Sequence, residues 1–330
     1  MKQSFKAFRL DKQGEDFSAR VDELLLVDLP DSEVLIEVHY SSVNYKDGLA
    51  STPNSSIVKS YPFVPGIDLA GIVVESKDER FKRGDQVIAT SYEIGVSHYG
   101  GYSEYAKIPA NWIVPLPEGM SLKESMVYGT AGFTAALSIY RLEQVGLTPN
   151  KGKVLVTGAS GGVGSMAVAM LAKSGYHVVA STGKESAHPF LYELGAKEVI
   201  SREEVYEDKV RPLDKQLWAA AIDPVGGQTL ASILSKINYG GAVAVSGLTG
   251  GTAIPTAVFP FILRGVSLIG IDSAYCPMEV RKQVWERMTG DLKPKSLEYL
   301  STEITFKELP ETLSNILNGK IQGRTIVRIH

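Results

Sequence analysis

Val154-Leu155-Val156-Thr157-Gly158-Ala159-Ser160-Gly161-Gly162-Val163-Gly164 decides the fold. A short apolar run leads straight into glycine-rich sequence. Beyond it Val163, Met166, Ala167, Met170 and Leu171 recur at helical spacing until Gly175. Small residues let backbone amides approach a pyrophosphate, and a helix N-terminus adds partial positive charge. Gly164 would let that helix pack closely on the strand. A bare glycine pattern is weak evidence. This one sits at a strand–turn–helix junction with a second strand about 20 residues on, so dinucleotide binding is expected rather than a purely structural turn. Ser160, Gly161, Gly162, Val163 and Gly164 are the candidate contacts.

The second strand ends Ala180-Ser181-Thr182-Gly183-Lys184, without the acidic residue that usually holds the ribose 2′-hydroxyl of NAD. Thr182, Gly183 and Lys184, joined by Arg202 after the third strand, suit a 2′-phosphate instead. The expected cofactor is NADP(H), with NAD(H) the lesser alternative. The ordinary reading of Lys184 is a solvated loop residue beside Glu185.

Outward from this turn, apolar strands alternate with helical periods: Val154–Thr157, His177–Ser181, Glu198–Ile200, Trp218–Ile222, Ala242–Ser246 and Val266–Ile271. That alternation predicts a doubly wound parallel sheet, an α/β Rossmann fold. Roughly the first 125 residues read differently. Strands are expected at Val34–Tyr40, Ala70–Val74, Gln86–Thr90 and Ala106–Ile108. Gly and Pro clusters punctuate them, as in a partly open barrel. Helices follow near Val280–Met288 and Glu308–Asn318, and a last strand at Thr325–Ile329 returns to the first domain. The expected division is 1–124 with 272–330 against an inserted 125–271.

At 330 residues, 44% hydrophobic and 22% charged, the chain has the composition of a two-domain globular protein. A net charge of −3 argues against an electrostatic grip on nucleic acid or an anionic membrane. No apolar run approaches the roughly 18 residues of a spanning helix. The N-terminal residues do not read as a secretion signal, and the single cysteine, Cys276, fits a reducing compartment. A cytoplasmic location is expected. His39, His98, His177, His188 and His330 show no metal spacing.

The whole chain resembles the medium-chain dehydrogenase/reductase superfamily, within it the quinone-oxidoreductase-like and acrylyl-CoA reductase group. The resemblance rests on ordered motifs: Asn44-Tyr45-Lys46-Asp47, Pro65-Gly66-Ile67-Asp68-Leu69-Ala70-Gly71, Gly84-Asp85-Gln86-Val87, Gly129-Thr130-Ala131-Gly132-Phe133-Thr134-Ala135, the glycine turn, and Ile321-Gln322-Gly323-Arg324-Thr325. It implies a GroES-like β-rich catalytic domain carrying the inserted Rossmann domain. The zinc-dependent branch of this superfamily places metal ligands at positions that correspond here to Asn44, Ile67 and Thr130. None of these is a thiolate or imidazole, and one cysteine cannot build a four-cysteine structural lobe. No zinc and no other metal is expected.

Without a Lewis acid, a carbonyl has no metal to stabilise its developing alkoxide. A conjugated acceptor takes hydride at its β-carbon and spreads charge into an enolate or phenolate, which hydrogen-bond donors stabilise. The resemblance implies an NADPH-dependent reductase of an α,β-unsaturated acyl-CoA such as acrylyl-CoA, with quinone reduction the alternative. A non-catalytic cofactor-binding or nucleic-acid-binding role is the reading from another class, disfavoured by the charge balance. The resemblance puts Tyr45 beside the nicotinamide and Asn44 and Asp47 on the substrate side. The plain reading makes Asn44 and Asp47 turn residues and Tyr45 a half-buried aromatic. Leu248, Ile262, Ser273 and Asn318 would hold the nicotinamide half. Their ordinary readings are core residues, a turn residue and a helix C-cap in left-handed conformation. Arg264, Arg281 and Arg324 are available for CoA phosphates. Asp223 reads as structural. A homodimer is expected, paired through Val266–Ile271, an apolar edge without lysine or proline.

Overall fold

The computed structural model describes residues 4–295 and 297–330. The chain forms two compact units, one of residues 4–130, 274–282 and 297–330 and the other of 131–273 and 283–295. The segment 283–295, which the sequence reading grouped with 272–330, belongs to the second unit. There Trp285 stacks on Phe133, with ring centroids 5.9 Å apart, and Arg287 pairs with Glu143 at 2.5 Å.

The second unit is built on a six-stranded parallel sheet. Its order is Glu198–Ser201, His177–Thr182, Lys153–Val156, Trp218–Asp223, Ile237–Val245, Ser267–Gly270. This doubly wound order reverses direction between the Lys153 and Trp218 strands, the switch point at which such folds bind ligands. The central strands are near-continuously apolar because helices cover both faces of such sheets. Leu155, Ala221, Ile233, Leu234 and Val243 share one buried cluster. The fifth strand begins five residues before the expected Ala242. The register slips between Trp218 and Ala220, so the glycines at 240–241 are absorbed as an irregularity rather than ending the strand.

The first unit carries a seven-stranded sheet. Its path runs Ser301–Ile304, Arg324–Arg328, Val34–Val43, Asp68–Ser76, Gln86–Thr90, Ile113–Pro115, and Tyr105–Ile108 pairs with Val34–Val43. Its apolar face buries Val34, Ile36, Val38, Leu69, Val87 and Ile108 together. A hairpin of Ser4–Gln13 and Asp16–Leu25, which the sequence reading did not place, bridges to Phe63 and Ser103. Lys6, Arg9, Asp11 and Lys12 interrupt its apolar residues and hide the strand pattern. The barrel is not closed. Among the described residues no helix is long and apolar enough to cross a membrane.

Candidate functional site

The glycine turn lies at the C-terminal end of the central strand Lys153–Val156, and the helix Gly162–Lys173 starts directly after it. Ala159 N–H donates to Ser181 O at 3.0 Å and Gly161 N–H to Gly158 O at 2.9 Å, which fixes the turn. A Cβ on Gly164 would stand 2.3 Å from Gly158 O, so only glycine lets the helix come this close to the turn. No side chain caps the helix at Gly161. Its first amides are left for an anion. Asp223, ending the neighbouring strand, accepts from Thr157 Oγ1, Val225 N–H and Gly226 N–H. Burial raises its pKa, and its oxygens are committed to the turn, which makes it structural.

At the end of the second strand Thr182 is buried. Its hydroxyl lies 3.0 Å from Ser160 Oγ and accepts from Lys184 N–H at 3.2 Å. The position that carries an acid in NAD-specific relatives of the fold is therefore a neutral hydroxyl tied to the glycine turn. Arg202 lies across Gly183, where an added Cβ would meet Arg202 Cδ, Nε and Cζ at 3.0–3.2 Å. Its side chain is 74% exposed and pairs with Glu203 at 3.0 Å. Ser160 and Thr182 thus lie together, Arg202 lies against Gly183, and Lys184 joins Thr182 through its main-chain N–H. In the same unit Leu248 and Ile262 are 64% and 68% exposed, so the core reading of both is excluded. Ser273 Oγ accepts from Thr134 Oγ1 at 2.8 Å.

The first unit holds the second candidate region. The strand Val34–Val43 ends at Asn44, which N-caps the short helix Tyr45–Ala50. Tyr45, the first helical residue, is 44% exposed. Asn44 and Asp47 are both buried. Asp47 accepts from the main-chain N–H groups of Asn44 (2.8 Å) and Ile67 (2.9 Å), leaving no exposed atom. Burial, and then the charge of Asp68, pushes its pKa up to about 7. Asn44 Nδ2 donates to Asp68 at 2.7 Å. Thr130 donates to the same carboxylate through its N–H (2.8 Å) and its Oγ1 (2.5 Å). Ile67 is an alkyl side chain, 3% exposed. Of the three positions matching zinc ligands elsewhere, two therefore serve as hydrogen-bond donors to Asp68 and the third is apolar. This donor set does not suit zinc.

Asn318 is the C-cap of the helix Leu309–Leu317, but with φ −84°. The left-handed residue is Gly319, φ +64°. The ordinary reading of Asn318 as a left-handed C-cap thus holds for the cap and not for the conformation: glycine adopts the left-handed region without steric cost and takes the position just past the cap. The three arginines considered for CoA are also occupied. Arg264 donates to the carbonyls of Asp214, Ser235 and Ile237, Arg281 to Thr90 and Ala274, and Arg324 is 2% exposed. Sequence reasoning missed Asp68 and Arg324 as members of the site. A lone charge opening an otherwise apolar strand, in Asp68-Leu69-Ala70 and Arg324-Thr325-Ile326, was the available signal.

Residues 30–118 match the alcohol dehydrogenase GroES-like domain family and residues 162–290 the zinc-binding dehydrogenase family. The Bacillus subtilis protein YhfP, provisionally named a quinone oxidoreductase, is 60% identical over 98% of this chain and 99% of its own. Its crystal structure with NAD bound superposes with a TM-score of 0.97. The acrylyl-CoA reductase AcuI of Ruegeria pomeroyi is 48% identical over 99% of both chains. The yhdH oxidoreductase of Salmonella enterica, solved in complex with NADP, is 48% identical with a TM-score of 0.96, covering 98% of this chain and 100% of that one.

Proposed function

Because the chain belongs to the medium-chain dehydrogenase/reductase superfamily, we propose that it is a zinc-independent, NADPH-dependent reductase of an α,β-unsaturated acyl-CoA, acrylyl-CoA being the first candidate. The observation that carries this reading is the commitment of Asn44 and Thr130 to Asp68, beside apolar Ile67. A conjugated thioester needs no Lewis acid, since its charge spreads into an enolate that hydrogen-bond donors stabilise.

Bound NADPH supplies the hydride. Gly161, Gly162, Val163 and Gly164 offer main-chain amides to the pyrophosphate, with Ser160 beside them. Thr182, Gly183, Lys184 and Arg202 receive the 2′-phosphate, which their hydroxyl and cationic groups suit better than a bare 2′-hydroxyl. Leu248, Ile262, Ser273 and Asn318 hold the nicotinamide half. Tyr45 contacts the reacting partners through its hydroxyl, while Asn44 and Asp47 shape the turn that presents it. The protein works in the cytoplasm as a homodimer. Ser267–Gly270 is the edge of its sheet and carries no charge or proline, which invites pairing with a second copy.

NADPH oxidation measured in parallel with acrylyl-CoA, a benzoquinone and a simple aldehyde tests the assignment. The highest kcat/KM is expected with acrylyl-CoA. A higher value with the benzoquinone would move the function to quinone reduction, and a higher value with the aldehyde would overturn the conjugated-acceptor reading.

A further inference from the structure

Asp68 and Arg324 are buried, charged, and engaged by neither of the roles above. Asp68 accepts from Ser42 Oγ (2.6 Å), Asn44 Nδ2 (2.7 Å) and Thr130. Arg324 donates from Nη2 to Ser42 Oγ (2.9 Å), from Nη1 to Val43 O (3.2 Å) and Asn44 Oδ1 (3.3 Å), and from Nε to Val127 O (3.0 Å). Ser42 Oγ therefore relays the guanidinium to the carboxylate. The polypeptide makes room for this contact at Gly129. There the helix Leu122–Gln144 breaks with φ +51°, and a Cβ would lie 2.6 Å from both Asp68 Oδ2 and Ser42 Oγ. The break turns the Thr130 N–H toward Asp68.

Stability is a poor reason to keep such a cluster. Desolvating each ion costs several kcal/mol, and apolar residues of similar volume often serve as well or better. What the cluster does geometrically is hold Asn44 at three points: its N–H by Asp47, its Nδ2 by Asp68 and its Oδ1 by Arg324. The carbonyl of Val43, the residue before, is held as well. Tyr45 follows directly, and its side chain is exposed, as is that of Lys46.

We propose that Asp68 and Arg324 are positioning residues that act through Asn44 to fix the Tyr45 side chain for the reaction. The inference rests on the role given to Tyr45 above. It assigns the carboxylate and guanidinium a task in catalysis although neither touches a reactant.

The test is a double-mutant cycle on the full-length protein with NADPH and acrylyl-CoA. It compares wild type, Asp68→Asn, Tyr45→Phe and the double variant, reading kcat, KM for NADPH and thermal stability. Misplacing a reacting group costs on the order of 10–100-fold. Asp68→Asn is therefore expected to lower kcat about 10-fold or more while KM for NADPH stays within about twofold. In the Tyr45→Phe background the same change is expected to cost less than about twofold, because the group it positions is gone. Equal losses in both backgrounds would overturn the positioning role and leave Tyr45 untouched. An unimpaired Tyr45→Phe would overturn the role of Tyr45 and the proposal with it. Ser42→Ala, which removes only the relaying hydroxyl, gives the cycle a milder arm if Asp68→Asn does not fold. The same non-additivity is expected, and additive losses would again overturn the proposal.

Discussion

In the first unit Asp47, Asp68 and Arg324 lie buried and bound to one another through Ser42 and Asn44. In the second unit Arg202 keeps 74% of its side chain exposed, over a glycine, with Thr182 and Ser160 beneath the same turn. Charge in the first region is spent on the protein's own main chain and polar side chains. In the second it remains open to solvent, where an anionic ligand can collect it. Charged and polar side chains gathered at a site therefore need not mean contact with a ligand, and the two regions are expected to respond to substitution in different ways.

Arg324→Met is expected to produce the largest effect. It strips the buried carboxylates of their cation and should destabilise the fold by about 3–5 kcal/mol, measured by urea unfolding. A loss below about 1 kcal/mol, the range of exposed ion pairs, would erase the contrast between the regions. Lys184→Ala should leave the fold unchanged and weaken NADPH binding by about 1–3 kcal/mol, the range for a hydrogen bond to a charged group. NADH binding should stay nearly constant, and equal losses for both cofactors would remove Lys184 from the 2′-phosphate site.

The buried region also predicts a pH dependence. The Asp47 pKa is raised from 3.8 to about 7, so the folded state binds a proton that the unfolded state has released. Its favourable contribution is complete below about pH 4 and disappears as pH rises through about 7, with a slope of at most about 1.4 kcal/mol per pH unit. The stability difference between wild type and Asp47→Asn should therefore shift against the wild type across that window. A difference independent of pH would show that Asp47 is ionised throughout. Leu268→Pro is expected to act on assembly and to leave each subunit's core intact. It removes a backbone donor from the sheet edge and should convert a dimer to a monomer of 35.7 kDa by light scattering. A dimer that survives would move the interface elsewhere.

The two regions also differed in how readily sequence revealed them. The glycine turn is one contiguous segment whose spacing carries its own physics, and the parallel sheet followed from the apolar runs around it. The buried network gathers Ser42, Asn44, Asp47, Asp68, Thr130 and Arg324 from separate stretches of sequence. Only the folded sheet brings Arg324 beside Val43, and only the break at Gly129 delivers Thr130. No local period announces either event. Asp47 accordingly read as a group on the substrate side, and Arg324 as a cation free for phosphates.

Metal content and its effect on rate test the central claim most directly, namely that the positions matching zinc ligands now serve a protein-internal network. The purified protein is analysed for zinc, and NADPH oxidation with acrylyl-CoA is followed before and after prolonged chelation. The account predicts no stoichiometric zinc and an unchanged rate. About one zinc per chain, with activity lost on its removal and restored on its return, would contradict it.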